Sequence, residues 1–513
     1  MRRSLAAVLG LAMVPALALA GPATADEPEE QSEQFRALWV DAFNVGIYTP
    51  EQVTALVEDA GDLGANALIV QVGRRFDCFC NDALYPRTDA AIDPAPYDPL
   101  AEIIEVAHAA GIEVHAWVNA TTLWNSATPP TSPEHAFNAH GPSATGADRW
   151  LNQREDGTEL VGNNSYIDPA NPAAVDYVVD AITSITDTYD VDGVNLDYIR
   201  YPDYNAGEFQ NDWGYSETSL ARFAAETGRT DRPAVTDAEF SQWRRDQVSA
   251  LVRKIYVAMY ASDPSDRLSI NGITYAFGPV SYGGWENARP YTNVLQDWVG
   301  WLDEGIIDTV TAMNYKRNWM PAQAQMFTEW NDALIEFRAD RHVVNGPALY
   351  LNELPDIVAQ AQETVDAGFD GWSGYSYANF SATATASTDP AVKEAEREAV
   401  TAALRAGPLA GDVVVPEMDW KTQPTAGLLE GTVTLRSGVV ADQVDVEIRP
   451  LGRTPGETFT VTTDGSGWFA AVDLAPGQYR IRVVEDGATG AGASVVTVAP
   501  GTITSAQVAA GRV

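Results

Sequence analysis

The sequence predicts a (β/α)8 TIM barrel, an α/β fold, followed by a small all-β sandwich. From Phe35 onward, eight apolar strand-like runs alternate with helical patterns. After about Arg405 this pattern gives way to a segment with Pro and Gly and then to short runs of alternating apolar and polar residues. Strands that alternate with helices form parallel sheets, and eight such strands close a barrel. We therefore expect the barrel at residues 34–405, a linker at 406–424 and the sandwich at 425–513.

The barrel strands are predicted from short apolar runs that precede or follow helical patterns. In chain order they are RALWVDAF, ANALIVQV, IEVHAWVN, DGVNLDYI, RLSINGITY, IDTVTAMNY, HVVNGPALYL and FDGWSGYSY. Helix starts are marked where a capping residue precedes a proline, at Thr49, Asp98, Asn171 and Asp389. Apolar residues at helical spacing also predict a helix through residues 294–302.

The connections between these elements differ strongly in length. Links from a helix to the next strand are short, whereas the strand-to-helix loops at 120–170 and 201–240 are very long. Long loops in a compact domain are usually functional. In a barrel all strand-to-helix loops emerge at the carboxyl-terminal face, where barrel active sites lie. The sequence thus points to one face of the barrel.

The segment after the linker contains short alternating runs separated by turn signals such as Asp464-Gly465. They are LLEGTVTL, VDVEIRP, FTVTT, GWFAAVDL, YRIRVVE and ASVVTV. This pattern predicts a small antiparallel β-sandwich. It contains no convincing cluster of acids, histidines or nucleophiles, so we interpret it as a spacer or adhesion module, with carbohydrate binding as the alternative.

Residues 1–25 have the layout of a secretory signal peptide. Arg2 and Arg3 precede an apolar run at 5–20, and Ala23-Thr24-Ala25 forms a small-x-small cleavage site. An uncleaved anchor helix is the alternative. No later stretch is apolar for the ~18 residues that a membrane span requires. We expect a secreted protein, extracellular or associated with the cell wall.

The net charge and the two cysteines limit the kinds of ligand and partner that we expect this chain to bind. With 71 acidic and 32 basic residues the net charge is −39, which repels nucleic acid and anionic membranes. Cys78 and Cys80 form either a local disulfide or two free thiols, neither of them catalytic. Two thiols without clustered histidines give no zinc signature, so we expect no metal or cofactor. Nothing in the sequence indicates an oligomeric state.

Asp197 is the best-placed catalytic carboxylate. Residues 194–199 alternate, so Asn195, Asp197 and Ile199 share one face of the strand. A carboxylate inside a barrel near its mouth is costly unless it is hydrogen-bonded or functional. The alternative is a salt bridge with Arg200 or a capping role.

Glycoside hydrolysis commonly needs a second carboxyl group. Glu286 is the first choice, because the neighbouring Trp285 would raise its pKa by excluding water, as a general acid requires. Asp41, at the end of the first strand, and Asp77, in the second loop, compete with it.

Other side chains near the strand ends are amides, aromatic rings and cations suited to binding a sugar. The predicted substrate-binding residues are Gln71, Arg75, Asp77, His115, Trp117, Asn119, Tyr198, Arg200, Asn271, Asn314, Tyr315, Lys316 and Tyr377. Aromatic faces suit pyranose rings, although aromatic residues fill cores as well. The chain has no GxSxG elbow, no HExxH helix and no glycine-rich phosphate loop.

Four cations near the barrel mouth are notable in so acidic a chain: Arg74, Arg75, Arg200 and Lys316. They would recognise a carboxylated sugar, because arginine pairs bidentately with carboxylates. Alternatively they neutralise Asp41, Asp77 and Asp197, which is the interpretation that the residues alone favour.

Several segments in the same order resemble the glycoside-hydrolase-like family 10. They are NALIVQV with ALYPRTD, GIEVHAWVN, YIDPANP, YDVDGVNLDYIRYP and QWRRDQVSALV, and the resemblance covers residues 35–404. It implies a TIM barrel, an extracytoplasmic bacterial protein, and cleavage of glycan strands, including the sugar backbone of peptidoglycan.

Carried over by position, the family's strand-four aspartate falls on Asp197. Its other motifs fall on Gln71 and Arg75 and on His115, Trp117 and Asn119. The chain departs from the family pattern in RRFDCFCNDALYP, which carries the two cysteines. From about residue 425 the chain looks like carboxypeptidase regulatory-like β-sandwiches.

The function expected from these observations is a secreted glycoside hydrolase that cleaves O-glycosidic bonds of a polysaccharide by paired carboxylate catalysis. The alternatives are a non-catalytic glycan-binding protein, and a structural cell-surface protein whose sandwich makes the important contact. Tight oligosaccharide binding without turnover would distinguish the binding protein from the hydrolase.

Overall fold

The computed structural model describes residues 32–207, 210–435, 438, 441–484 and 493–510. The signal peptide predicted at 1–25 lies outside these residues. Within the described ranges, no helix is both long enough and apolar enough to cross a membrane.

Eight parallel strands close into a barrel, which confirms the predicted fold class. The strands of this part of the chain are β1 (Phe35–Val40), β2 (Ala67–Gly73), β3 (Glu113–Asn119), β4 (Thr122–Trp124), β5 (Ser165–Tyr166), β6 (Gly193–Asp197), β7 (Arg267–Ile273), β8 (Thr309–Asn314), β9 (His342–Pro347) and β10 (Gly371–Tyr375). Strands β1, β2, β3 and β6 to β10 pair in that order, and β10 returns to pair with β1. Strands β4 and β5 form a separate pair within the long loop after β3.

Helices surround the barrel. They are α1 (Pro50–Leu63), α2 (Pro99–Ala109), α3 (Ala136–His140), α4 (Pro172–Thr188), α5 (Glu217–Thr227), α6 (Ala238–Ser262), α7 (Pro279–Tyr282), α8 (Arg289–Asn293), α9 (Trp298–Glu304), α10 (Pro321–Phe337), α11 (Leu354–Ala367), α12 (Ala382–Ala386), α13 (Pro390–Ala406) and α14 (Asp419–Thr422). Short 3-10 turns occupy Gly146–Asp148, Trp285–Asn287 and Leu349–Leu351.

The capping signals are confirmed. Thr49, Asp98, Asn171 and Asp389 each accept hydrogen bonds from backbone amides of the helix that follows. The helix predicted through residues 294–302 is wrong in its first part. Leu295 has a left-handed φ of 53°, and α9 begins only after Asp297, whose side chain accepts from the Gly300 amide. The apolar spacing correctly indicated which of these residues are buried. It did not reveal that Asp297 caps the helix and that the helix begins at Trp298.

Strand alternation sorts side chains between two apolar layers. Val114, Ala116 and Val118 of β3 pack between the strands and the helices. Trp117, on the opposite face, packs with Trp39 and Val344 inside the barrel. Side chains on the inner face near the carboxyl ends of the strands can therefore reach the barrel mouth.

The carboxyl-terminal segment forms two sheets. Its strands are β11 (Gly427–Leu435), β12 (Asp445–Pro450), β13 (Phe459–Thr462), β14 (Trp468–Leu474), β15 (Gly477–Val483), β16 (Ala493–Val498) and β17 (Ile503–Ala510). One sheet has the order β14-β11-β17 and the other β13-β12-β15-β16. Strand β17, with its small and polar residues, was not among the predicted runs, and its pairing with β11 is parallel rather than antiparallel.

Ion pairs fasten the sandwich to the outside of the barrel. The Arg222 guanidinium donates to both Asp442 carboxylate oxygens at 2.7 Å. Arg341 lies 2.7 Å from Asp473, and Lys254 lies 3.0 Å from Asp464. These contacts involve helix and loop residues of the barrel that lie away from the carboxyl ends of its strands.

The segment predicted as a linker packs against the amino-terminal ends of the barrel strands. Arg267, the first residue of β7, donates to the Pro416 carbonyl at 2.9 Å. Lys421 Nζ lies 2.7 Å from Asp308 Oδ2, and both side chains are almost fully buried. Trp420 donates to the other Asp308 oxygen at 2.7 Å. This segment thus joins the two domains and covers the base of the barrel.

We expect Lys421→Ala to lower the free energy of unfolding by about 3–5 kcal/mol, because it leaves the Asp308 carboxylate buried without its counter-charge. Urea denaturation followed by tryptophan fluorescence measures the change. Arg482→Ala is the matched control, since the Arg482 side chain is about half exposed and water screens its ion pair with Glu447, so only a small loss of stability is expected. Equal losses in the two variants would contradict the importance of the buried pair.

Candidate active site

A cavity of about 510 Å³ opens at the carboxyl ends of the barrel strands. We call it the cleft. Its walls come from the ends of β2, β3, β6, β7, β8 and β10 and from the loops that follow them. Asp197, the last residue of β6, lies in this wall beside Asn119, its partner in the register of β3 and β6.

The chain turns sharply after Asp197, and that turn orients its carboxylate. Tyr198 has a left-handed φ of 49°, and its amide donates to Asp197 Oδ1 at 2.7 Å. The Thr121 hydroxyl donates to the Tyr198 carbonyl at 2.6 Å. The loop after β3 thereby holds the turn after β6 in place.

Asp197 is buried, with 6% of its surface exposed. Burial raises its pKa above the ordinary value for an aspartate, while Arg200, the Tyr198 amide and the side chains of Asn271 and Trp117 oppose that shift. A carboxyl group in such a setting is suited to proton transfer. The predicted position of Asp197 at the barrel mouth is therefore observed, and its catalytic role stays a prediction.

A second carboxylate, Asp203, also lines the cleft, and sequence reasoning overlooked it. Its Oδ2 accepts a hydrogen bond from the Tyr275 hydroxyl at 2.7 Å and lies 3.8 Å from Arg200 Nη1. Its side chain is 31% exposed. The available signal was its place at the start of the long 201–240 loop, only a few residues beyond Asp197.

Glu286 lies outside the cleft. It is exposed, in the 3-10 turn Trp285–Asn287, where Trp285 packs edge-on against Trp298 at 4.6 Å. The Trp285 indole donates to Asp297 at 2.6 Å instead of enclosing the Glu286 carboxylate. The preceding Gly278 amide is tied to Glu329 of α10, so this loop folds over the outer helices. The structure does not assemble the expected pair of Asp197 and Glu286.

Asp41 lies close to the cleft but behind its wall. The carboxylate accepts from the Phe43 amide and the Asn44 side chain, and Ser376 donates to its other oxygen at 3.2 Å. Its charge raises the pKa of Tyr375, a cleft residue, although burial is the larger cause. Asp41 is therefore a neighbour of the site rather than part of its surface.

The structure divides the predicted substrate-binding residues into two groups. Those that line the cleft are Gln71, Arg75, Trp117, Asn119, Tyr198, Arg200, Tyr315 and Lys316. Those outside its lining are Asp77, His115, Asn271, Asn314 and Tyr377. Substrate binding by the first group stays a prediction.

The residues outside the lining have structural partners. His115 is buried deep in the barrel, 3.0 Å from Glu113 and edge-on to Phe35. Asp77 accepts from the Arg75 amide and the Thr88 hydroxyl, which shapes the loop after β2.

Asn314 and Tyr377 face the surrounding helices. Asn314 donates to the Phe327 carbonyl and to Asn331 of α10, and the Tyr377 hydroxyl donates to Asp59 of α1. Asn271 lies beneath Asp197 and supports that carboxylate. Strand alternation accounts for the position of Asn314, because its neighbour Tyr315 points to the opposite face and lines the cleft.

The cations of the cleft are mostly unpaired with carboxylates. Arg74, Arg75, Arg200, Lys316 and Arg317 line it. Within the described ranges, Arg200 with Asp203 is the only ion pair among them. Arg74 donates to the Ala42 carbonyl at 2.7 Å, and Lys316 donates to the carbonyl and hydroxyl of Thr274 at 2.7 and 3.2 Å. In the described part of the chain no direct ion pair joins these cations to Asp41, Asp77 or Asp197. Against the larger effect of burial, however, the charge of Arg200 lowers the pKa of Asp197 and that of Asp77 raises the pKa of Arg75. The favoured interpretation, that the cations neutralise these aspartates, therefore stays a prediction.

The loop after β2 contains the cysteine pair. Cys78 and Cys80 are disulfide-bonded and fully buried, which decides between the two alternatives for these thiols. In the part of the chain that the structure describes, no group of His, Cys, Asp or Glu side chains is arranged to hold a metal ion.

The profile of the family described as glycosyl hydrolase-like 10 matches residues 34–350, more than half of the chain. The chain belongs to this family. The match contains all the strands from β1 to β9 and hence most of the cleft, including Asp197 and Asp203. The carboxyl-terminal sandwich lies beyond it.

Two relatives of this glycosyl hydrolase-like 10 protein are named glycosyl hydrolases. YngK of Bacillus subtilis (strain 168) is 27% identical over 317 residues, which cover 56% of this chain and 55% of YngK. DigH of Escherichia coli (strain K12) is 24% identical over 270 residues, which cover 49% of this chain and 55% of DigH. The chain thus spans about half the length of these relatives.

A solved structure of another protein has a similar barrel fold. The catalytic domain of β-amylase from Paenibacillus polymyxa superimposes with a TM-score of 0.50 at 12% sequence identity, covering 74% of this chain and 99% of that domain. At this identity the likeness shows the barrel fold alone.

We expect the Lys316 ammonium to lose its proton as the pH rises through neutrality, because burial lowers the pKa of Lys316 to about 7. An exposed lysine keeps its charge to about pH 10. An NMR titration of protein labelled at lysine Cε should show one signal that shifts near neutral pH and is missing from Lys316→Met. Lysine signals that all move only at alkaline pH would contradict this expectation.

Proposed function

We propose that this chain is a secreted hydrolase that cleaves O-glycosidic bonds of a polysaccharide, with peptidoglycan glycan strands as the substrate. The observation that carries the proposal is the presence of two carboxylates, Asp197 and Asp203, in one cleft at the carboxyl ends of the barrel strands. Family membership and the names of the relatives support a glycosidase-type activity. Secretion is proposed from the sequence of residues 1–25.

The two carboxylates differ in their surroundings in the way that paired acid and base chemistry requires. Asp197 is buried and its pKa is raised, which suits it to protonate the leaving oxygen. Asp203 is more exposed and is held by Tyr275 and Arg200. In the proposed reaction Asp203 acts on the other side of the scissile bond, as the nucleophile or as the base that activates water.

The charge of the cleft supports an acidic glycan. Denuded glycan strands of peptidoglycan carry a free carboxylate on every second sugar, because removal of the stem peptide exposes it. Arg74 and Arg317 supply positive charge without an ion-paired carboxylate in the described part of the chain. Lys316, whose pKa burial lowers to about 7, adds to that charge below neutral pH. Aromatic side chains such as Tyr198 and Tyr315 provide flat walls for the sugar rings.

We expect Asp197→Asn to reduce the release of reducing ends from denuded peptidoglycan strands by roughly 10²–10⁴-fold, because removal of a positioned proton donor costs about that much. The circular dichroism spectrum should be unchanged. Glu286→Gln is the matched control and should retain full activity, since Glu286 is exposed and outside the cleft. Full activity in Asp197→Asn would refute the assigned role.

Asp203→Asn tests the identity of the second carboxylate. We expect kcat to fall with little change in KM, because the amide keeps an acceptor for Tyr275 but cannot attack or activate water. Asp41→Asn should have the smaller effect, since Asp41 lies behind the cleft wall. The reverse order of effects would make Asp41 the partner of Asp197. Tight binding of strands by the unmodified protein without any cleavage would instead indicate a glycan-binding protein.

A further inference from the structure

A second cavity adjoins the cleft on its outer side. It has a volume of about 520 Å³ and is lined by residues of the loops that follow β8, β9 and β10. We call it the outer groove and define it by Arg317, Trp319, Tyr350, Glu353 and Asp356. All of these loops emerge at the same face of the barrel as the proposed active site.

Trp319 presents an exposed but anchored indole ring in this groove. The residue is 61% exposed, and its Nε1 donates to the Leu351 carbonyl at 3.4 Å. The preceding residue, Asn318, is held through its amide by Asn352 at 2.8 Å and through its side chain by Asp356 at 3.0 Å. The loop is therefore fixed at two points beside an aromatic surface that faces solvent.

The outer groove continues into the cleft. Arg317 lines both cavities. The Tyr350 ring packs at 6.2 Å from Tyr315 and at 5.8 Å from Tyr375, and both of these tyrosines line the cleft. A chain that leaves the cleft past Arg317 therefore enters a cavity lined by Tyr350 and Trp319.

We propose that the outer groove is a distal sugar-binding subsite in which a pyranose ring of the polysaccharide stacks on Trp319. This rests on the proposed function, because the sugar belongs to the strand that occupies the cleft. Glu353 accepts from the Thr383 hydroxyl and Asp356 from the Asn318 side chain, and each carboxylate has further lone pairs that would accept hydrogen bonds from sugar hydroxyls. The two carboxylates outnumber the one cation of the groove, Arg317, and the resulting negative charge disfavours a carboxylated sugar here. The subsite therefore takes a neutral sugar, in contrast to the cationic cleft.

The subsite makes affinity depend on chain length. Trp319 lines the outer groove but not the cleft. A disaccharide bound in the cleft is therefore expected not to contact Trp319, whereas a long strand occupies both cavities. Loss of the indole should therefore weaken the binding of long strands while the disaccharide is bound as before. A purely structural role for Trp319 would change both affinities together.

The test measures binding by calorimetry in the Asp197→Asn background, with denuded peptidoglycan strands and their disaccharide unit as probes. We expect Trp319→Ala to raise the Kd for strands about two- to tenfold, the range typical of one aromatic stacking contact. Trp319→Phe should retain most of the affinity. Phe459→Ala is the matched control, since Phe459 is exposed on the sandwich, and should change neither Kd.

An unchanged Kd for strands in Trp319→Ala, an equal loss with the disaccharide, or no binding of strands by the parent would overturn the subsite. Failure of the proposed function has a different signature. In that case the protein with Asp197 intact binds strands but releases no reducing ends, and the effect of Trp319→Ala on binding remains.

Discussion

The pairing of β1 with β10 closes the barrel and imposes the geometry on which the site depends. Because all eight strands run parallel, their carboxyl ends meet at one face, and residues far apart in sequence become neighbours there. Asn119 and Asp197 are brought side by side in this way, and Tyr375 reaches the same cavity from the last strand. Closure also leaves no free strand edge, so the loops alone vary the shape of the mouth.

The parts of the fold that depend on hydrophobic periodicity and on helix-capping residues could be predicted from the sequence. The eight strands are buried apolar runs, and the helices that follow Thr49, Asp98 and Asn171 begin with a cap and a proline. Asp197 could be placed because it ends such a strand on its inner face. These features are local, so a single sequence displays them.

Positions that depend on the path of a loop could not be predicted in the same way. Glu286 and Asp203 both belong to long strand-to-helix loops, yet only Asp203 turns back over the barrel mouth, where Tyr275 and Arg200 hold it. Asn314 and Tyr315 are adjacent, and only the face of the strand decides that one contacts α10 and the other the cleft. A list of residues near strand ends does not contain that information.

The buried cations at the two ends of the barrel differ in whether a carboxylate neutralises them. At the base, Lys421 and Asp308 neutralise each other, and the pair joins the linker segment to the strands. At the mouth, Lys316 and Arg74 are buried with only carbonyl or hydroxyl acceptors among their described hydrogen-bond partners. Burial of a cation without a counter-charge costs free energy, and the −39 net charge of the chain only partly offsets that cost at a distance. An anionic group of a bound substrate would supply the missing counter-charge, which is the physical reason why the substrate proposed for this cleft is an acidic glycan.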